Sequence, residues 1–251
     1  MISPGRFNWM KMHRLKIMFV TMLMIVSMSC AHGVLAQDID VPEIATMDAD
    51  VLETATPDAY GFWAGAMATK AFGKENRWNA GMLAFYCHNF HQGESLFNQV
   101  FVRPSISYTT LPWLKVHYDM DLAQTSGGFQ MRFMPGATIS HRISDFSFSL
   151  RHMFYYIWYP ASGVTTHLSA TKGTVNYNIP DTPVTLTVAM EPLYRENLLR
   201  NRIYAGFNIR LNDSMTLCPQ YLRKAYHNRS GKHPRRTYDD HLLYLLLLVR
   251  L

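Results

Sequence analysis

The sequence has few cysteines, little charge and, beyond its first 36 residues, no long apolar run, and each lack removes a class of protein. Cys30, Cys87 and Cys218 are its three cysteines, in no metal spacing, and Cys87 and Cys218 read as unpaired strand residues in preference to a disulfide. With no eighteen consecutive apolar residues after residue 36, a helical membrane protein is excluded. A membrane β-barrel is not, because its signal is alternation. No phosphate loop, dinucleotide fingerprint, paired CxxC or HExxH occurs, and neither a cofactor nor a metal is expected. What is present, 48% hydrophobic, 13% aromatic and 17% charged residues, fits neither a disordered tail nor a disulfide scaffold.

The first 36 residues read as an address. Lys11, Arg14 and Lys16 precede an apolar stretch, Ile17 to Val26, that is too short to span a bilayer, and Val34-Leu35-Ala36 supplies the cleavage positions. This is the pattern of a Sec signal peptide cut after Ala36. Met10 and Met12 offer later starts, and a lipoprotein reading through Cys30 is weakened by Ser27, where an aliphatic residue is wanted. Removing Arg6, Lys11, Arg14 and Lys16 leaves 20 basic against 18 acidic residues, or +2. The basicity is therefore mostly targeting sequence, and no nucleic-acid partner is expected. Residues 37–59 hold Asp38, Asp40, Glu43, Asp48, Asp50, Glu53 and Asp58 without one basic residue, an acidic lead-in that is flexible or lies against a barrel mouth.

From Tyr60 to the end the period is two. Leu114, Val116, Tyr118, Met120 and Leu122 form an apolar face opposite Lys115, His117, Asp119 and Asp121. The split recurs with Phe129, Met131 and Phe133 against Gln130 and Arg132, with Val184, Leu186, Val188 and Met190 against Thr185, Thr187 and Glu191, and with Ile203, Ala205, Phe207 and Ile209 against Arg200, Arg202 and Arg210. Eleven strands are expected, at 61–72, 77–90, 98–110, 113–123, 129–142, 145–159, 164–178, 183–194, 199–212, 214–227 and 238–251. Most have the nine to eleven residues a tilted strand needs to cross a bilayer. Connections alternate short and long, as in outer-membrane barrels. If the longest, 228–237, is external, parity leaves one upward strand missing. That strand lies in residues 38–56, giving twelve, or the strand at 61–72 is a partial edge, giving ten. In this topology Trp63 and Trp158 fall at external strand ends, and Trp78 and Trp113 at periplasmic ends, where aromatic girdles belong.

Gly61-Phe62-Trp63, the turn Gly73 to Trp78, Leu111-Pro112-Trp113-Leu114-Lys115-Val116, Ser147-Phe148-Ser149-Leu150-Arg151, and Glu191 followed by Asn201-Arg202-Ile203-Tyr204-Ala205-Gly206 carry a family resemblance. The chain resembles, over about residues 60–251, the Gram-negative outer-membrane barrel family known as domain of unknown function 2490. The resemblance implies an all-β antiparallel transmembrane barrel in the outer membrane, and no activity. It departs from outer-membrane barrels at Leu251, where an aromatic assembly signal is usual. Leu242 to Val249 is apolar on both faces, so either the last strand packs inward against a plug or its register differs. The partners implied are outer-membrane lipid, lipopolysaccharide and the barrel-assembly machinery.

The inward faces are cationic: Arg103, Lys115, Arg132, Arg142, Arg151, Arg200, Arg202, Arg210 and Lys224 against Asp119, Asp121 and Glu191, with His117 beside them. Three acids cannot pair nine cations, so a positive lumen is expected. It is either salt-bridged and closed or a narrow anion-preferring pore, since strand numbers near twelve fall between a filled and an open barrel. His117, Asp119 and Asp121 could hold a cation, but neutralising inward arginines is favoured. The segment Arg223 to Arg236 is basic enough to face lipopolysaccharide phosphates or to be a solvated loop.

An enzyme reading rests on His167 and Ser169, two apart on one strand face, as base and nucleophile of an acyl-ester hydrolase. These two residues alone resemble outer-membrane phospholipase A, whose pair faces lipid. Here Val164, Leu168 and Ala170 read as the lipid face, which puts His167 and Ser169 inside. A third reading is a soluble secreted barrel that binds an apolar ligand.

Overall fold

The computed structural model describes residues 59–91, 94–195, 198–228 and 237–251. The expected signal peptide and nearly all of the acidic lead-in lie outside the described residues. So does the proposed strand within 38–56.

Alternating apolar and polar residues can bury one face and leave the other outward only as strands, and the chain forms eleven of them among the described residues. They are β1 (Ala59–Phe72), β2 (Trp78–His91), β3 (Glu94–Leu111), β4 (Leu114–Thr125), β5 (Gly128–Ile143), β6 (Phe146–Tyr159), β7 (Val164–Asn178), β8 (Val184–Arg195), β9 (Leu198–Arg210), β10 (Met215–Asn228) and β11 (Thr237–Arg250). Each pairs antiparallel with its sequence neighbours, and β1 and β11 close the sheet into a barrel. Strand position is thus legible in the sequence to within a few residues.

Closure corrects the expected count of twelve, or ten. The seam between β1 and β11 is parallel, with Ala59 opposite Asp240 and Thr69 opposite Arg250. An even number is required only when first and last strands run antiparallel; a parallel seam closes an odd number. β1 is no partial edge either, since it spans 14 residues and pairs with both neighbours.

The expected alternation of loop lengths also fails. Of the connections expected to be long, at 91–97, 124–128, 160–163, 195–198 and 228–237, three are cut to two residues: β2 ends at His91 and β3 begins at Glu94, β4 ends at Thr125 and β5 begins at Gly128, and β8 ends at Arg195 and β9 begins at Leu198. Strand pairing extends into them because hydrogen-bonding another residue pair satisfies more backbone groups than an open loop. Longer described connections occur at 73–77, 160–163, 179–183 and 211–214, three of them where a short turn is expected. The rim where β1 begins is called below the N-terminal rim, and the opposite one, where β11 ends, the C-terminal rim.

Four prolines lie inside strands, Pro104, Pro135, Pro192 and Pro219. Lacking an N–H, proline cannot complete a ladder, and pairing is interrupted beside all four on one flank of the strand.

The outward face is apolar around the barrel. Met82, Ile106, Leu122, Val188, Met190 and Leu245 are exposed on it. Exposed aromatics cluster toward both rims: Phe72, Trp78, Trp113 and Phe146 at the C-terminal rim, Tyr60, Phe90, Phe129 and Trp158 at the N-terminal rim.

Candidate functional site

The interior is divided into an apolar half and an ionic half. Trp63 of β1, Leu83 and Phe85 of β2, Phe101 of β3, Leu222 of β10 and Leu242 of β11 form one buried cluster, with Met67, Tyr244 and Leu246 packed against it. Phe85 stacks on Phe101 at 5.5 Å and meets Trp63 edge-on at 6.2 Å between ring centroids. This arrangement accounts for the doubly apolar last strand. Leu242 is 1% exposed and Leu243 57%, so the strand alternates normally, and its inner side packs against β1 and β2. Gly65 makes room for the cluster: a Cβ there would lie 2.2 Å from the Phe85 ring.

Trp63 therefore corrects the girdle expectation. It sits near a strand end, but its parity turns it inward, where it is 7% exposed, whereas Trp78, Trp113 and Trp158 are 41%, 48% and 40% exposed. Its ring carries the Lys224 ammonium at 4.8 Å and the Arg202 guanidinium at 5.7 Å from its centroid.

The ionic half is built by β3 to β10, with Asp240 of β11. Asp121, fully buried, accepts two hydrogen bonds from Arg103, Nε to Oδ1 at 2.5 Å and Nη2 to Oδ2 at 2.9 Å, and lies 3.7 Å from Arg132. Arg132 is held further by Gln130 and Gln99, each at 3.0 Å. Glu191 is the second hub. Arg151 and Arg202 approach its two oxygens at 3.4 Å each, and the Tyr204 hydroxyl donates to it at 2.9 Å. Lys224, 2% exposed, pairs with Asp240 at 3.0 Å. Such buried pairs persist because each charge keeps a partner and further hydrogen bonds.

The expected lumen residues thus divide by height. Arg103, Asp119, Asp121, Arg132, Arg151, Glu191, Arg202 and Lys224 meet in the middle, and Arg200 lies toward the N-terminal rim. His117 faces Thr138, whose Oγ1 is 3.2 Å from its Nε2, and is not joined to Asp119 or Asp121 as a metal row. No cluster of His, Cys, Asp and Glu able to hold a metal occurs among the described residues. Lys115, Arg142 and Arg210 are exposed near the C-terminal rim. Arg223 and Lys224 belong to strand β10, so the basic loop is shorter than expected, and residues 229–236 lie outside the described residues. Cys87 and Cys218 are both buried and free, as read from the sequence.

Among the inward residues that escape the sequence reading are Asp240 and Lys172. Asp240 lies near the start of β11 (Thr237–Arg250), where Asp239 and Asp240 in succession leave parity undecided. Lys172 was concealed by a facing error on β7. Leu168 lines the interior, Ala170 is 1% exposed, and Lys172 Nζ stands 3.7 Å above the Tyr204 ring centroid. His167 and Ser169 therefore point outward, opposite Tyr156 and Phe154, and not inward as expected. Lys172, Thr174, Asn176 and Asn178, all polar at spacing two, carried the correct parity, while Thr165, His167, Ser169 and Thr171 upstream carried the opposite one. No hydrogen bond joins His167 to Ser169 among the described residues, so no nucleophile and base pair is assembled there. His152 and Thr171 make the outward polar contact instead, at 2.8 Å.

Between the two halves, toward the N-terminal rim, a cavity of about 120 Å³ remains. Around it Cys87, Asp121, Gln130, Met134 and Leu222 are wholly buried.

No family model matches the chain, and no curated protein matches it. A solved structure described as the NanC porin is similar, at 14% sequence identity and a TM-score of 0.45, covering 72% of this chain and 94% of that one.

Proposed function

We propose that the chain is a closed outer-membrane β-barrel, a structural or binding protein whose lumen does not conduct, of the kind that domain of unknown function 2490 represents. The filled interior carries this reading. Two ionic hubs, Asp121 and Glu191, together with the Trp63, Phe85 and Leu242 cluster occupy the interior, beside a cavity of about 120 Å³. Barrels of eight strands are plugged by their own side chains and those of sixteen are open, and large arginine, tyrosine and tryptophan side chains bring eleven strands to the filled side.

The membrane setting is supported by the outward face. A soluble monomer rarely exposes a contiguous apolar surface of more than a few hundred Å², and here apolar residues circle the barrel between two aromatic rims. The signal peptide expected at residues 1–36 supplies the export such a barrel needs.

Single-channel recording in a planar bilayer tests the reading, on detergent-purified protein whose folding is verified by a heat-dependent shift in gel mobility. Silence is expected. Discrete anion-selective steps would replace the closed barrel by a pore along the arginine wall. Recovery of the native protein in the aqueous periplasmic fraction without detergent would replace both by a soluble barrel.

A further inference from the structure

The cavity toward the N-terminal rim has a wall of one sign. Arg103, Arg132, Arg200, Arg202 and Lys224 line it, and among the described residues no carboxylate does. Behind this wall Asp121 serves Arg103 and Arg132, Glu191 serves Arg151 and Arg202, and Asp240 pairs with Lys224. Among the described residues the five lining cations and Arg151 thus stand against Asp119, Asp121, Glu191 and Asp240, which leaves positive charge directed at the cavity.

A second observation points to an occupant. The Trp63 indole N–H and the Arg202 Nε–H are buried donors with no hydrogen-bond acceptor among the described residues, and both residues line the same cavity. Trp63 is more than nine-tenths buried. Buried donors are seldom left without an acceptor, since each one costs the desolvation of the group. Two of them in one cationic wall describe a place for acceptor oxygens.

We propose that this cavity binds a phosphate group. The donors converge from β1, β3, β5, β9 and β10, that is, from several sides of the barrel. A tetrahedral phosphoryl group presents oxygens in several directions and suits such a wall, and arginine forks bind it two bonds at a time. A planar carboxylate presents its oxygens in one plane and leaves part of the wall unanswered. Ile157, Leu168 and Leu193 complete the lining and give the carbon portion of a phosphate ester an apolar contact. The phosphate can be free or the headgroup of a lipid.

Isothermal titration of the folded, full mature chain in nonionic detergent at low salt decides the matter. The probes are inorganic phosphate, dihexanoyl phosphatidic acid and, as a planar control, acetate. Saturable one-to-one binding of at least one phosphate probe is expected, with none for acetate. Arg202→Gln and Trp63→Phe should each weaken it about tenfold, the size of one lost charge-assisted hydrogen bond. Trp63→Phe keeps an aromatic ring in the cluster, and Arg132→Gln serves as a further variant should Arg202→Gln fail to fold. Tighter binding of inorganic phosphate identifies a free ion as the occupant, and tighter binding of phosphatidic acid a lipid headgroup. Absence of saturable binding, equal binding of acetate, or affinity untouched by the folded variants would each overturn the site. The site depends on the interior geometry and not on where the barrel resides, so its failure leaves the closed-barrel reading to the conductance experiment.

Discussion

Arg103 and Asp121 face each other across neighbouring strands β3 and β4 and form a two-pronged ion pair, with the aspartate wholly buried and the arginine side chain 19% exposed. Arg132 shares the same carboxylate from β5. Three strands are thereby tied by one side chain.

Asp121→Asn should be among the costliest polar substitutions in the barrel. It leaves two guanidinium groups without their common counter-charge, and removing one partner of a buried pair costs about 3–5 kcal/mol. Denaturant unfolding of protein reconstituted in lipid vesicles measures it. Arg103→Met combined with Asp121→Leu should recover most of the loss, because replacing both charges by apolar groups leaves no orphan beyond Arg132.

Gly65→Ala and Gly173→Ala should behave oppositely, though both are strand glycines. A Cβ at Gly65 would lie 2.2 Å from the Phe85 ring and 2.5 Å from the Ala84 carbonyl oxygen, while at Gly173 nothing lies within 4 Å. Overpacking predicts a loss of about 1–3 kcal/mol or more for Gly65→Ala. For Gly173→Ala, reduced freedom of the unfolded chain predicts a change near zero or a gain of up to about 1 kcal/mol. The same unfolding experiment reads both.

A charge on the outward face tests the membrane setting directly. Val188 is 56% exposed midway along β8. In a bilayer Val188→Arg should destabilise the barrel by about 2–4 kcal/mol, the depth-dependent cost of a cation facing lipid. In water the same exposed substitution would stay within about 0.5 kcal/mol, so vesicle unfolding near that value would count against a lipid-facing wall.

Phospholipid hydrolysis by the purified chain should be indistinguishable from that of Ser169→Ala. His167 and Ser169 share an outward face but no hydrogen bond joins them among the described residues, and a nucleophile needs its base within bonding reach. A turnover lost specifically in Ser169→Ala would restore the hydrolase reading.

The strands are legible in the sequence because alternation at period two is a local property: each residue's facing follows from its neighbour two positions away. β4 shows this most plainly, with Val116, Tyr118 and Leu122 exposed and Asp119 and Asp121 buried as their polarity dictates. Most of the inward charges followed from the same rule. Where both faces of a segment are mixed the rule has no purchase, and β7 was read with His167 and Ser169 inside although Lys172 is the residue that points in. Trp63 shows the complementary failure, since nearness to a strand end does not fix which face a side chain takes.

Tertiary structure alone decided how the barrel closes and what fills it. The parallel seam joins Ala59 to Asp240 and Thr69 to Arg250 across nearly the whole barrel sequence, and no local pattern encodes a partner so distant. The same holds for the Glu191 hub, where Arg151 comes from β6 and Arg202 and Tyr204 from β9, and for the Trp63 cluster, which explains an all-apolar last strand that alternation could not. Charges far apart in the chain choose their partners only once closure fixes which strands share the lumen, because the cost of burying each one is offset solely by the groups that closure brings within reach.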